Sequence, residues 1–291
     1  MSKVSIPHEA IGSEGKMPYA DIHNTFANSA YGKILEQEVR FGQYRHTPAD
    51  HWKALLGPDV CNLQHAWLVY NRTRAFLSLA LQKDPSAYSF DEQEKLLLTA
   101  LCHDWGEVVV KDHEYGSKTH EKERREVAAI HRFAGELLPD PAIRDKMHWV
   151  ADHIVDGKVD RREAMKSNSY IGTQLQESFE AIEQLDFTRT PLRAWDVHRS
   201  MSRRDHPVQR AALRSMGHTI VSAHIPILTH YAEDFTAVHH YLLAWRAHIQ
   251  KVIDDDTETV LREYPLKKDT FTPETAKNVR RLWEGWLEEN G

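Results

Sequence analysis

Long hydrophobic runs are missing from this chain of 291 residues. None approaches the roughly 20 apolar residues that a membrane-spanning helix requires. The opening stretch, Met1-Ser2-Lys3-Val4-Ser5-Ile6-Pro7, holds no apolar segment of signal-peptide length, so a cytoplasmic location is the expectation. Cysteine is also scarce. Cys61 and Cys102 lie in or beside apolar helical stretches, which predicts buried free thiols rather than a disulfide framework. There is no excess of positive charge either. Lys and Arg number 37 against 43 Asp and Glu, a net charge of −6, which argues against broad binding to nucleic acid. Strand-like alternation is rare, and internal repeats and low-complexity tracts are absent, so the fold is expected to be all-α.

What the chain does contain is apolar residues at helical spacing between turn signals. The first sixty residues read as irregular, with one short helix near Tyr31–Val39. Gly57-Pro58-Asp59 then predicts a long helix to about Gln82, capped by Asp59. Ser89 and Glu92 have the spacing of a capping box, which starts a second helix through Leu96-Leu97-Leu98 into His103-Asp104. Gly106 and the β-branched Val108-Val109-Val110 disfavour its regular continuation. Helices are expected over Lys118–Leu138, with Val127, Ile130, Phe133 and Leu137 inward, and over Ala142–Val155. Another is expected within Ser167–Phe187, Pro191 is placed to open the next, and one spans Tyr231–Ile253. Asp254-Asp255-Asp256 reads as a solvated turn and cap, since the calcium-loop spacing and glycine are missing. Pro273 stands at the first turn of a last helix.

His103 and Asp104 carry the most chemical information. An imidazole and a carboxylate delivered to the end of a buried helix form half of a metal site, because a divalent transition ion accepts nitrogen and oxygen donors together. Neighbouring residues on a regular helix point about 100° apart, so both reach one ion only where the helix ends. His65, inside the earlier apolar helix, offers a third ligand. Glu107 and Asp112 follow at once, and a carboxylate pair suits proton transfer.

Here the residues resemble a family. His65 followed by the apolar element ending in His103-Asp104 is similar to the HD-domain metallohydrolase superfamily. The stretch from His103 to Asp112 resembles its 5′-deoxynucleotidase branch, whose motif is His-Asp, two residues, Glu, four residues, Asp. Arg40-Phe41-Gly42-Gln43-Tyr44-Arg45 and the charged Lys122-Glu123-Arg124-Arg125-Glu126 are similar to flanking segments of that branch.

The resemblance implies an HD-domain helical bundle over residues 1–190, irregular to about residue 30. A helical C-terminal extension, 191–291, would pack on the same core with no role assigned. It implies that His65, His103 and Asp104 bind a divalent metal (Co²⁺, Mn²⁺, Mg²⁺ or Zn²⁺), and that Glu107 and Asp112 handle the attacking water and leaving oxygen. Arg40, Arg45 and Lys111 would face phosphate, and Trp105 would wall the nucleotide site. The substrate class would be deoxynucleoside monophosphates, or triphosphates with release of polyphosphate, and a homo-oligomer is common in the family.

The family's fourth ligand is a late aspartate, and the matching stretch here has none at the expected place. Glu177 is the nearest equivalent, with Gln176, Glu180 and Asp186 as competitors. Two other functions stay open. His113, His120, His131, His148 and His153 could complete a binuclear site, as in HD-type phosphodiesterases or oxygenases. Alternatively, the chain is a nucleotide-binding regulator with a decayed centre.

Overall fold

Ser29 ends one helix and begins the next. Its extended backbone stops α1 (Ala20–Asn28), and its hydroxyl accepts from Gly32 N at 3.1 Å to start α2 (Ala30–Gln37). Gly32 is obligatory there, because a Cβ would lie 2.2 Å from the Phe26 carbonyl oxygen. The sequence predicts a single short helix in this region; α1 and a third helix, α3 (Ala49–Leu56), are additional.

The computed structural model describes residues 19–40, 49–57, 61–111, 118–166, 172–198, 224–263 and 273–290. Among these no strand forms, and Val39 and Cys61 pair as an isolated antiparallel bridge. The remaining helices are α4 (Asn62–Lys83), α5 (Phe90–Cys102), α6 (Glu107–Val110), α7 (His120–Leu137), α8 (Pro141–Val150), α9 (Lys158–Lys166), α10 (Gln174–His198), α11 (Ile225–Asp234), α12 (Thr236–Glu263) and α13 (Pro273–Asn290). The fold is all-α, as expected.

Several boundaries differ from expectation. Cys61, rather than Asp59, caps α4 through its sulfur; Asp59 lies outside the described residues. The capping box of Ser89 and Glu92 forms as predicted. The helix expected over Ala142–Val155 changes pitch at Val150 and finishes as a π-helical turn, Ala151–Val155. Pro191 sits inside α10 and opens no new helix. The expected helix over Tyr231–Ile253 is broken by extended backbone at Phe235 and runs on to Glu263. Asp254-Asp255-Asp256 therefore lies within α12, where Asp254 accepts from Arg280 at 2.9 Å and Gln250 at 3.0 Å.

The chain divides into two compact units. One draws on described residues within 19–53 and 57–182, the other on those within 54–56 and 183–290, so the division falls at 182/183 rather than at 190/191. In the first unit α4 packs on α5, α5 on α8, and α7 on α6, α8 and α9, around Val69, Phe76, Leu98, Leu101, Ile130 and Phe133. In the second, α11, α12 and α13 pack together around Leu228, Leu242, Trp245, Ile249 and Trp283. Burial of such apolar surface is worth about 25 cal/mol per Å² and is the main source of stability in each.

Candidate metal centre

The apolar run Leu96–Cys102 buries the C-terminal half of α5, so the helix delivers whatever follows it into the interior. The helix ends at Cys102, and residues 103–106 form a turn. His103 keeps the helical backbone, its N–H donating to the Thr99 carbonyl at 2.9 Å, and the turn that follows carries Asp104, whose carboxylate faces the same point as the imidazole. His103 Nδ1 contacts the Ala100 carbonyl oxygen at 3.0 Å. A carbonyl only accepts, so Nδ1 carries a hydrogen and Nε2 is the nitrogen left to face a ligand.

Three donor atoms meet there. His103 Nε2 lies 3.4 Å from His65 Nε2 and 3.3 Å from Asp104 Oδ2, and His65 Nε2 lies 3.5 Å from the same oxygen. Both imidazoles are buried, while the Asp104 side chain keeps 13% of its exposure. Donors at about 2.0–2.1 Å around a tetrahedral ion stand about 3.3–3.4 Å apart, so this triangle has the edges of three ligands around a single cation. Burial alone would push the Asp104 carboxyl up. His103, His65 and Lys158 overcome that and hold it well below the usual carboxylate range. The charged carboxylate is the form that binds metal.

The fourth position is different. Among the described residues no other His, Cys, Asp or Glu joins the three at this spacing. Glu177 and Glu180 stay out of the cluster, and Asp186 belongs to the other unit. Gln176 is committed elsewhere: its oxygen accepts from Thr173 N and its amide donates to the His153 carbonyl, both at 2.7 Å. The histidines weighed for a second metal are apart from the triad too. His131 pairs with Asp152 at 2.7 Å and stacks on His148, His153 stacks on Trp149, and His120 faces Glu123 and Asp160. His113 lies outside the described residues.

Glu107 opens α6 and is buried, held by a hydrogen bond from the Asn62 side-chain amide. Asn62 precedes His65 by three positions on α4, so the same helix face supplies a ligand and fixes the neighbouring acid. Arg40 is buried beside the bridge that joins Val39 to the start of α4. Lys111 is half exposed and paired with Glu38. Trp105 is a core residue and not an open wall: it is 1% exposed and its ring stacks on Phe26 at 4.1 Å. Asp112 and Arg45 lie outside the described residues.

Sequence reasoning missed several buried charges in this unit. On α7 the inward face is Glu123, Glu126, Ile130, Phe133 and Ala134, rotated from the predicted stripe. Glu126 bonds Lys118 at 2.5 Å, and burial raises its carboxyl despite that partner. Glu123 accepts from Val159 N at 3.0 Å and so caps α9. Lys158, the first residue of α9, is buried. The acids had a signal, since Glu123 and Glu126 fall in register with Ile130 and Phe133 on a helical wheel. Lys158 had none. Gly106 explains how α7 comes this close: a Cβ there would lie 2.5 Å from Cα of Glu126.

No family model, no curated protein and no solved structure matches this chain.

Proposed function

We propose that this protein is a metal-dependent phosphohydrolase that cleaves the 5′-phosphoester of deoxynucleoside 5′-monophosphates. The observation that carries the reading is the triangle of His65 Nε2, His103 Nε2 and Asp104 Oδ2, with edges of 3.3–3.5 Å. The nucleotide part rests on the resemblance of the stretch from His103 to Asp112. Two imidazoles and one carboxylate suit Zn²⁺, Co²⁺ or Mn²⁺ better than Mg²⁺, which prefers oxygen donors. When bound, the ion supplies positive charge against phosphate oxygens and an acidified water.

The chain's own residues do the rest. His103 is locked in one tautomer by the Ala100 carbonyl. Glu107, oriented by Asn62, accepts the proton of the attacking water. Arg40, with Arg45, offers guanidinium donors to the phosphate, for which their planar fork is suited. Asp112 returns a proton to the leaving oxygen. The same chemistry on deoxynucleoside triphosphates would release polyphosphate. A cytoplasmic, homo-oligomeric enzyme is part of this reading.

A panel of deoxynucleoside mono- and triphosphates with Mn²⁺, Co²⁺, Mg²⁺ and Zn²⁺ tests it, read by phosphate and polyphosphate release. Asp104→Ala should abolish release, and Glu107→Gln should lower turnover by about 10²–10⁴ while metal stays bound. Full activity in both purified variants would defeat the mechanism. That no fourth carboxylate or imidazole joins the triad among the described residues favours one second reading, a nucleotide-binding regulator. Tight nucleotide binding without turnover across all four metals would select it.

A further inference from the structure

A metal-binding imidazole keeps its aim only if its ring plane is fixed by the groups around it. For His103 the Ala100 carbonyl fixes Nδ1 at 3.0 Å, which leaves the ring free to tilt about that contact. Two rings limit the tilt. His65 meets the imidazole at 5.3 Å between centroids and 74°, and Phe179 meets it at 5.3 Å and 67°. His65 is itself a ligand, so of these two Phe179 alone acts from outside the triad.

Phe179 is firmly placed. It is fully buried in the second turn of α10. The hydroxyls of Tyr88 and the adjacent Ser178 lie 2.8 Å apart, and Ser178 Oγ donates to the Gln174 carbonyl at 2.7 Å. A serine has one hydroxyl hydrogen, so Tyr88 is the donor between the two. Tyr88 stands just ahead of α5, and its ring meets Phe76 of α4 at 6.3 Å. The start of α10 is thereby pinned to the two helices that supply the ligands. Lys158 Nζ lies 5.1 Å from the centroid of Phe179, a cation–π contact that ties the ring to α9 as well.

This neighbour differs in kind from a ligand. The α10 carboxylates Glu177 and Glu180 stay out of the cluster, and what α10 lays against His103 is an aromatic ring. A phenyl ring offers no lone pair to an ion. It excludes water from the side of the imidazole that it covers, and neither ring is more than 1% exposed. The Asp104 side chain keeps 13% of its exposure against 3% for His65, so solvent reaches the three donors from the Asp104 side.

We infer that Phe179 is a positioning residue of the metal centre, holding the His103 imidazole so that Nε2 already faces His65 and Asp104 before an ion arrives. This rests on the metallohydrolase reading of the triad, and it gives α10 a task there other than donating a ligand.

The test uses full-length protein, treated with chelator and titrated with Co²⁺. Visible absorption reads affinity and band positions, and circular dichroism reads folding. Phe179→Leu keeps an apolar side chain and loses the flat ring. It should fold, bind Co²⁺ about tenfold to a hundredfold more weakly, the scale on which supporting residues act at metal sites, and show shifted ligand-field bands. Phe133→Leu on α7 is the control for lost aromatic packing. Its ring is fully buried against Phe26 and Tyr31, so this variant should keep wild-type affinity and bands. If Phe179→Leu does not fold, Phe179→Met gives the same comparison. Wild-type affinity and bands in a folded Phe179 variant overturn the inference alone, as does an equal loss in Phe133→Leu. Wild-type protein that binds no Co²⁺ overturns the metallohydrolase reading itself.

Discussion

Gly106→Ala is the substitution that most sharply probes how α6 and α7 are built around the His103-Asp104 turn. A Cβ at this position would stand 2.5 Å from Cα and Cβ of Glu126, where ordinary contact begins at 3.4 Å, so α7 has to retreat by about 0.9 Å. The obstructing atoms belong to the backbone and its first side-chain carbon, so no rotamer change relieves the clash. Overpacking of this kind costs about 1–3 kcal/mol. The upper half of that range applies, because retreat of α7 also disturbs the buried Glu126–Lys118 pair. At roughly 2–4 °C per kcal/mol for a chain of this size, the melting temperature should fall by about 4–12 °C. Gly135→Ala on the same helix is the control. A Cβ there meets nothing within 4 Å, and alanine gains about 1 kcal/mol over glycine in a helix interior, so that variant should melt higher than wild type. Both variants are read by circular dichroism during thermal unfolding. Gly106→Ala melting at or above wild type would refute the packing described for α6 and α7.

Two further predictions follow from the same site. Asn62→Ala leaves a buried Glu107 oxygen without its amide donor, which should cost about 1–3 kcal/mol by urea denaturation and lower turnover while metal affinity changes little. The Asp104 carboxyl is pushed up by burial but held well below its ordinary value by His103, His65 and Lys158. A depressed folded value means that the group's stabilisation is fully present above about pH 4 and is lost as pH falls through the lower folded value. Metal-free wild type should therefore lose stability below about pH 4 more steeply than Asp104→Asn, and equal acid limbs in the two would contradict that cause.

Much of the fold was legible because its signals are local. Ser89 and Glu92 reach each other within one turn, and the apolar repeat that follows predicts α5 and its delivery of His103-Asp104 inward. Pro273 announces the last helix in the same way. Where tertiary context decides, local signals failed. Three consecutive aspartates look like a cap, yet Gln250 and Arg280 give Asp254 partners inside α12. Pro191 looks like a helix start, yet it is accommodated within α10. The π-turn at Ala151–Val155 has no sequence signature. The site divides likewise. His103 and Asp104 were readable from adjacency at a helix end, but their meeting with His65 needed the resemblance, since 38 residues separate it from His103. Lone lysines and glutamates read as solvated, which hid Lys158, Glu123 and Glu126. Only close packing at Gly106 and the capping of α9 bring them inward.

The central claim is that two imidazoles and a carboxylate converge to hold one divalent ion. Titrating chelator-treated protein with Co²⁺ and following the visible absorption tests it directly. The account predicts stoichiometric binding of one Co²⁺ per chain, with ligand-field bands that disappear alike in His65→Ala and His103→Ala. A wild-type spectrum preserved in His65→Ala, or no stoichiometric Co²⁺ binding at all, would contradict it.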